Sequence, residues 1–291
     1  MQEVDWYGCY DDKWGVMITK TDHASKFSRS LVFRIIEYFK SEHGMSPCHR
    51  VIDPFGGIGT GGIACTYNKI PWFGVELERK YAFDAKRNFR INDHIWKHHN
   101  FGHPCLTLGD SRRIPFKPNH FDFCITSPPF GENLSGGGIV NAATGRSNYG
   151  LDGGMKNIRV GHIYGEDQAM RKDNIILLKG TDWEESCAMV YKNVFQCLKT
   201  GGKIAVVVKD FVKKKKIFPV CDNTTKMLSS TGFNVFLKVK AMQVSRTIQK
   251  GLFGEDIVDE KNRKSMFKIM AENKGCPKID YEMVIFGEKL K

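Results

Sequence analysis

Apolar residues fall into two alternating periods from about residue 24 of the chain onwards. Between 25 and 39, Phe27, Leu31, Ile35, Ile36 and Phe39 share one helical face, and Gly44 and Pro47 close the run. Arg50-Val51-Ile52-Asp53 then reads as a short strand. The turn Pro54-Phe55-Gly56-Gly57-Ile58-Gly59 follows it, and a helix opens near Thr60. Strands are predicted over 72–76, 105–108 and 121–126, with a helix over 80–92. Thr181 and Glu184 have capping-box spacing, and Trp183, Cys187, Val190, Val194 and Leu198 repeat at helical intervals up to Gly201-Gly202. A Val-rich strand over 203–209 comes next. This alternation predicts an α/β fold, with a mostly parallel, doubly wound sheet and helices on both faces.

Residues 131–180 break the rhythm. They hold eleven of the 29 glycines and show no sustained period, which marks a functional loop or lid. The expected organisation is one domain over 1–291: a first half over 20–130, this loop, and a basic second half over 181–291 that completes the sheet. With 291 residues, 41% apolar and 26% charged, the chain has ample material for a core, so wholesale disorder is excluded. No apolar run reaches the roughly 20 residues of a membrane span. The acidic, aromatic start fits neither a signal nor a transit peptide, so a cytoplasmic location is expected. Nine cysteines without a C-x-x-C pair predict buried, reduced thiols rather than a zinc ribbon. The net charge is +12, and 201–291 supplies +9 of it from 19 Lys+Arg against 10 Asp+Glu. Such a field attracts an acidic polymer, nucleic acid before a membrane surface.

Two motifs turn this into chemistry. In Asp53-Pro54-Phe55-Gly56-Gly57-Ile58-Gly59-Thr60, a strand feeds a glycine turn that opens a helix. The glycines are expected to let a ligand approach the backbone, and the helix N-terminus offers free N–H groups. Glu76, at the end of the next predicted strand, suits ribose hydroxyls. Gly57-x-Gly59-x-x-Gly62 also matches the dinucleotide fingerprint, so a nicotinamide dehydrogenase competes. Against it stands Asp53, an anion at a strand tip that would repel a pyrophosphate and welcome an amino-bearing ligand. Against it too stands Thr126-Ser127-Pro128-Pro129-Phe130 at the tip of a later strand. A Pro-Pro pair keeps the backbone extended and leaves its carbonyls as acceptors. Beside them lie the Ser127 hydroxyl and the Phe130 ring, so such a site can accept both protons of an amino group while stacking the ring that bears it.

Together these residues resemble the DNA amino-methyltransferases, which methylate exocyclic nitrogens of cytosine or adenine from S-adenosylmethionine. The stretch from Asp53 to Thr60 looks like that family's cofactor motif, and 126–130 like its catalytic [DNS]-P-P-[YF] motif. Asp22-His-Ala-Ser-Lys26-Phe27 is similar to the segment that holds the methionine end of the cofactor. Asp110 stands where the family places an acid near the cofactor adenine. The stretches 202–211 and 279–286 look like a phage-type or prophage-type solitary subgroup. The resemblance implies a Rossmann-like methyltransferase fold and a duplex DNA partner with its target base flipped out. It implies S-adenosylmethionine held by Lys26, Phe27, Asp53, Phe55, Gly57, Gly59, Thr60, Glu76 and Asp110. Catalysis would fall to Ser127, Pro128, Pro129 and Phe130, without a metal. Ser at the first catalytic position leans toward cytosine N4, with adenine N6 as the alternative. RNA methylation and a non-catalytic basic module are the remaining readings.

Three clusters receive blander readings. Pro47-Cys48 and Pro104-Cys105 resemble a Pro-Cys nucleophile, but a core cysteine is the expectation at 105. His94, His98, His99 and His103 read as a solvated helix end. Lys213, Lys214, Lys215 and Lys216 stand equally well as a solvated loop or as a contact to DNA phosphate.

Overall fold

The computed structural model describes residues 2–10, 27–129, 140–141, 146–147, 174–175, 178, 180–213, 215–250, 256–262 and 275–290. Fourteen strands and five α-helices are described in chain order. They begin β1 (Gln2–Trp6), α1 (Arg29–His43), β2 (Val51–Asp53), α2 (Thr60–Tyr67), β3 (Trp72–Glu76), α3 (Arg79–His98), β4 (Cys105–Leu108) and β5 (Phe121–Thr126). The pair β6 (Val140–Asn141) and β7 (Arg146–Ser147) comes next, then α4 (Gly180–Cys197) and β8 (Leu198–Val208). A hairpin, β9 (Phe211–Lys213) and β10 (Lys216–Phe218), leads to α5 (Val220–Thr231) and β11 (Phe233–Met242). A second hairpin, β12 (Val244–Lys250) and β13 (Asp256–Asn262), precedes β14 (Tyr281–Lys289). Most of the 131–180 segment lies outside the described residues.

Eight strands form one sheet in the order β1-β11-β14-β8-β5-β2-β3-β4. Only β14 runs antiparallel, to both β11 and β8. The expected mostly parallel sheet is therefore present, and its two faces carry separate cores. On one face α1 and α2 bury Leu31, Ile35, Ile36, Phe39 and Ile63 against Ile125, Val207, Val284 and Ala241. On the other, α4 and α5 bury Trp183, Val190, Val194 and Leu228 against Ile52, Val206 and Ile285. Alternate residues of one strand thus serve opposite cores, as the pleat requires.

Several boundaries differ from the sequence pattern for identifiable reasons. Helix α1 starts at Arg29 because Ser28 is extended, and it ends at Gly44 in the left-handed region. Helix α3 continues six residues past 92 to His98. The polar residues Asn88 and Asn92 hid that continuation, since both are fully buried. Their burial is satisfied: Asn88 Nδ2 donates to the Ile58 carbonyl at 2.9 Å, and Asn92 Nδ2 to the Asn88 carbonyl at 2.8 Å. Thr181 lies inside the first turn of α4, and Glu184 accepts from Asn223 Nδ2, so the expected capping box gives way to a link between α4 and α5. Strand β1 had too few apolar positions to be read. It holds the sheet edge through Trp6 against Tyr38 and Phe286 and through the Glu3–Lys240 ion pair.

The cysteine expectation is met in part. Cys9, Cys65, Cys124, Cys187, Cys197 and Cys221 are buried free thiols, whereas Cys48 and Cys105 are exposed. Cys105 opens β4, the edge strand, so the core placement expected for it is wrong. Among the described residues no cluster could hold a metal, and His99 caps α3 as the solvated-end reading expects. No described helix is long and apolar enough to cross a membrane.

The glycines of α2 are set by packing. A Cβ at Gly62 would lie 2.8 Å from Trp72 Cε3 and 3.0 Å from the Pro104 Cβ. Trp72 is almost fully buried and has nowhere to move. Gly→Ala in a helix interior ordinarily stabilises by roughly 1 kcal/mol. Here the overlap dominates, so Gly62→Ala is expected to lower unfolding free energy by about 1–3 kcal/mol in a denaturant titration. An increase would show that α2 and β3 have slack.

Candidate active site

The chain passes from β2 outward to β3 and β4, then returns to the other side of β2 to form β5. The β2/β5 boundary is therefore a topological switch point, where ligands of open α/β sheets bind beyond the carboxyl ends of the strands. Both sequence motifs meet there. Asp53 ends β2 and Thr126 ends β5, and the Thr126 hydroxyl donates to Asp53 Oδ1 at 2.7 Å. The same oxygen accepts the Phe55 N–H at 3.0 Å, so one buried atom ties the glycine turn to the strand that carries Ser127-Pro128-Pro129.

This placement changes the reading of Asp53. The residue is 2% exposed, and burial pushes its carboxyl from 3.8 up to about 7. It is a structural clasp rather than the ligand-facing anion expected from the sequence, and repulsion of a pyrophosphate cannot be argued from it.

The turn is held from three other directions. Gly56 N–H donates to the Val75 carbonyl at 2.8 Å, the Ser111 hydroxyl donates to the Pro54 carbonyl, and Asn88 holds the Ile58 carbonyl. Gly59 has φ 82° at the N-cap of α2, and a Cβ there would meet the Phe89 ring at 2.5 Å. A Cβ at Gly56 would lie 2.7 Å from Leu106. These two glycines are thus required by backbone and packing, beyond the ligand access expected of them. Gly57 is also left-handed, at φ 52°, and its N–H donates to Glu76 Oε2 at 2.8 Å.

Glu76 stands at the tip of β3 as expected. Its other oxygen accepts the Glu78 N–H at 2.8 Å. Burial raises its carboxyl to about 7, against the two backbone donors. A carboxylate has about four acceptor positions, so two remain for ligand hydroxyls. Asp110 caps a short 3₁₀ turn and is paired with Arg112, whose Nη2 lies 2.7 Å from its Oδ2. Its charge is therefore compensated inside the protein. Phe55 and Phe27 are partly buried against opposite cores, and Thr60 is buried at the start of α2. Lys26 lies outside the described residues.

Ser127 and Pro129 are partly exposed and Pro128 is buried, while Phe130 lies outside the described residues. The Trp183 indole N–H donates to the Pro129 carbonyl at 3.1 Å. That contact fixes the loop and was invisible in the sequence, where Trp183 served only the helical period. Lys213 ends β9 and Lys216 opens β10, a hairpin beyond the carboxyl end of β8, the same sheet edge as Ser127. Lys215 and Lys216 are exposed, Phe211 and Phe218 stack across the hairpin at 4.8 Å, and Lys214 lies outside the described residues.

No protein-family model matches the chain, and no curated protein does. Solved structures match its fold. The tRNA (m1A58) methyltransferase TrmI from Aquifex aeolicus is 10% identical with TM-score 0.51, covering 94% of this chain and 73% of that one. The [4+2]-cyclase SpnF is 11% identical with TM-score 0.51, covering 94% and 86%. TrmN from Thermus thermophilus is 14% identical with TM-score 0.45. The match spans 92% of this chain but only 51% of TrmN. The chain has the Rossmann-like methyltransferase fold, as the resemblance implied. A cyclase among the matches shows that this fold alone does not set the reaction.

The pH dependence follows from the clasp. Unfolded, Asp53 loses its proton near 3.8; folded, it keeps it to about 7. The native state binds more protons across that window, so this group makes stability fall as pH rises through it. In Asp53→Asn, the amide oxygen can still accept from Thr126 and Phe55, and the titration is gone. The loss of melting temperature between pH 5 and pH 8 is therefore expected to shrink in Asp53→Asn. An unchanged loss would place the titration elsewhere.

Proposed function

We propose that the protein is an S-adenosylmethionine-dependent DNA amino-methyltransferase, with cytosine N4 as its target. The observation that carries the reading is the Asp53–Thr126 clasp, which sets the glycine turn beside an amine-accepting Ser-Pro-Pro loop at the switch point. A dinucleotide-binding turn alone gives no reason for that loop to be there.

The described residues fit the cofactor. Glu76 has acceptor capacity for two ribose hydroxyls, the turn from Phe55 to Thr60 forms the wall beside it, and Phe27 supplies apolar contact. Lys26 and Asp110 complete the set that the family resemblance assigns. When bound, S-adenosylmethionine supplies a methyl group already activated on its sulfonium. The protein's own work is then mainly positioning. The Ser127 hydroxyl and the Pro128 carbonyl accept the amino protons, which turns the nitrogen lone pair outward and stabilises its developing positive charge. A base inside a duplex must be extruded at a cost of a few kcal/mol. Phe130 offsets part of this by stacking on it, worth about 1–3 kcal/mol. The Lys213–Lys216 hairpin, on the same edge, contacts phosphate.

Glu76→Ala is expected to weaken S-adenosylmethionine binding by about 1.5–3 kcal/mol in calorimetry. Ser127→Ala and Phe130→Ala should bind it normally and turn over slowly. Normal turnover in both, or tight binding of NAD in its place, would overturn the reading.

The product is identified by digesting DNA treated with labelled cofactor to nucleosides for mass spectrometry. N4-methylcytosine is expected; N6-methyladenine alone would move the target to adenine, and label in tRNA but not DNA would move it to RNA. Replacing Lys213–Lys216 by Gln should weaken binding to all DNA sequences and flatten the salt dependence. An unchanged slope would return the hairpin to solvent.

A further inference from the structure

The outer face of α3 carries a charge pattern that the candidate site does not use. Inward, the helix buries Tyr81, Ala85, Asn88, Asn92 and Trp96. On the opposite side, Arg79, Phe83, Lys86, Arg87 and Arg90 recur at intervals that return to one stripe of a helix. All five are exposed, and Phe83, at 66%, is unusually open for so large an apolar side chain. The cations are also unpaired. No ion pair or hydrogen bond joins the side chains of Arg79, Lys86, Arg87 or Arg90 to another described residue. Asp93 is taken by Lys97 at 2.6 Å, and Asp84 is partly buried on the flank of the helix. On α1, by contrast, exposed Arg34 is matched by Glu37 at 3.7 Å. Like charges three and four residues apart destabilise a helix, so a face that served solubility alone would gain by alternating signs.

Position and shape select the partner. Helix α3 leaves the carboxyl edge of the sheet just after Glu76 and runs back toward the start of β4, on the face that α1 and α2 cover. The stripe therefore begins beside the candidate site and descends from it, about 17 Å from Arg79 to Arg90 at 1.5 Å per residue. A second copy of the chain would bring like charges together. A membrane surface would need an apolar face, and this stripe offers one apolar side chain. A duplex lying across the strand tips is a stiff rod that does not turn down a helix, and its stacked bases leave Phe83 nothing to cover. A single strand is a flexible line of phosphates with unstacked bases. A row of cations interrupted by an aromatic ring matches both of its parts.

We infer that the outer face of α3 is a binding track for single-stranded nucleic acid, with Arg79, Lys86, Arg87 and Arg90 on its phosphates and Phe83 stacked on one unpaired base. This binding goes beyond the proposed methyl transfer and needs neither the cofactor nor a target base. The two kinds of contact leave separate signatures. Cations that meet phosphate release counterions, so they set how steeply affinity falls with salt. A ring stacked on a base adds affinity that salt leaves largely alone.

The test titrates the full chain against a labelled oligothymidine of roughly ten nucleotides, a labelled blunt duplex and phosphatidylserine vesicles, over a range of salt. Wild-type protein is expected to bind the oligothymidine. In the triple variant Lys86→Gln, Arg87→Gln, Arg90→Gln, the slope of log affinity against log salt should become shallower by about 2, at roughly 0.7 per phosphate contact of a single strand. Phe83→Ala should weaken the oligothymidine roughly fivefold or more and leave the slope as it was. Both variants should melt with wild type, since none of these side chains has a partner to lose. The blunt duplex should lose much less in either variant. A wild-type slope in the triple variant, wild-type affinity in Phe83→Ala, or no binding of the oligothymidine by wild-type protein would overturn the inference. An equal loss on the blunt duplex would also overturn it, in favour of a duplex contact. Binding to vesicles but not to the oligothymidine would move the stripe to a membrane surface. Methyl transfer enters none of these measurements, so the proposed reaction stands or falls separately.

Discussion

One buried oxygen, Asp53 Oδ1, holds the two halves of the candidate site in register. The strands β2 and β5 pair over only two described residues, Val51 with Phe123 and Ile52 with Cys124. Backbone pairing therefore stops before the strand tips, where the turn and the Ser-Pro-Pro loop diverge. The Thr126 hydroxyl and the Phe55 N–H meeting on one carboxyl oxygen extend the junction past the last ladder bond. Burying that carboxyl has a cost, seen in its raised pKa, and the cost is tolerable because each buried polar partner is satisfied. Breaking the contact from either side would leave a polar group stranded at the point where both motifs begin.

The rest of the cofactor-side architecture serves the same rigidity. Glu76 bonds the turn through Gly57 N–H, Asn88 bonds it through the Ile58 carbonyl, and Ser111 bonds it through the Pro54 carbonyl. Close packing then removes the remaining freedom, since Gly56, Gly59 and Gly62 sit where a Cβ would strike Leu106, Phe89 and Trp72. A loop clamped in this way presents its free backbone groups in one geometry, which is the condition for positioning to contribute to rate. The catalytic side is clamped as well, through Trp183 on the Pro129 carbonyl. Helix α4 thus couples the far core to the candidate chemistry.

Charge is distributed along the same logic. At the N-terminal edge of the sheet, Glu3 pairs with Lys240. The exposed lysines of the β9–β10 hairpin remain facing outward, on the edge that carries Ser127. A second exposed basic group, Arg79, Lys86, Arg87, Arg90 and Lys97, lies along α3.

What the residues alone determined was whatever is periodic or local. The strands 72–76, 105–108 and 121–126 matched to the residue because short apolar runs bounded by Pro, Gly and Asn leave little choice of limits. The two motifs were legible because their glycines and prolines restrict the backbone wherever they occur. Tertiary structure decided the rest. Asn88 and Asn92 look like solvent-facing residues until Ile58 and Tyr67 are brought to them, so α3 ended too early in the pattern. Asp53 looked like a ligand-facing anion until Thr126, 73 residues away, took its oxygen. Glu282 and Tyr10, 272 residues apart, carry no motif at all. Their meeting depends on β14 entering the sheet antiparallel between β8 and β11, a long-range pairing that no local period records.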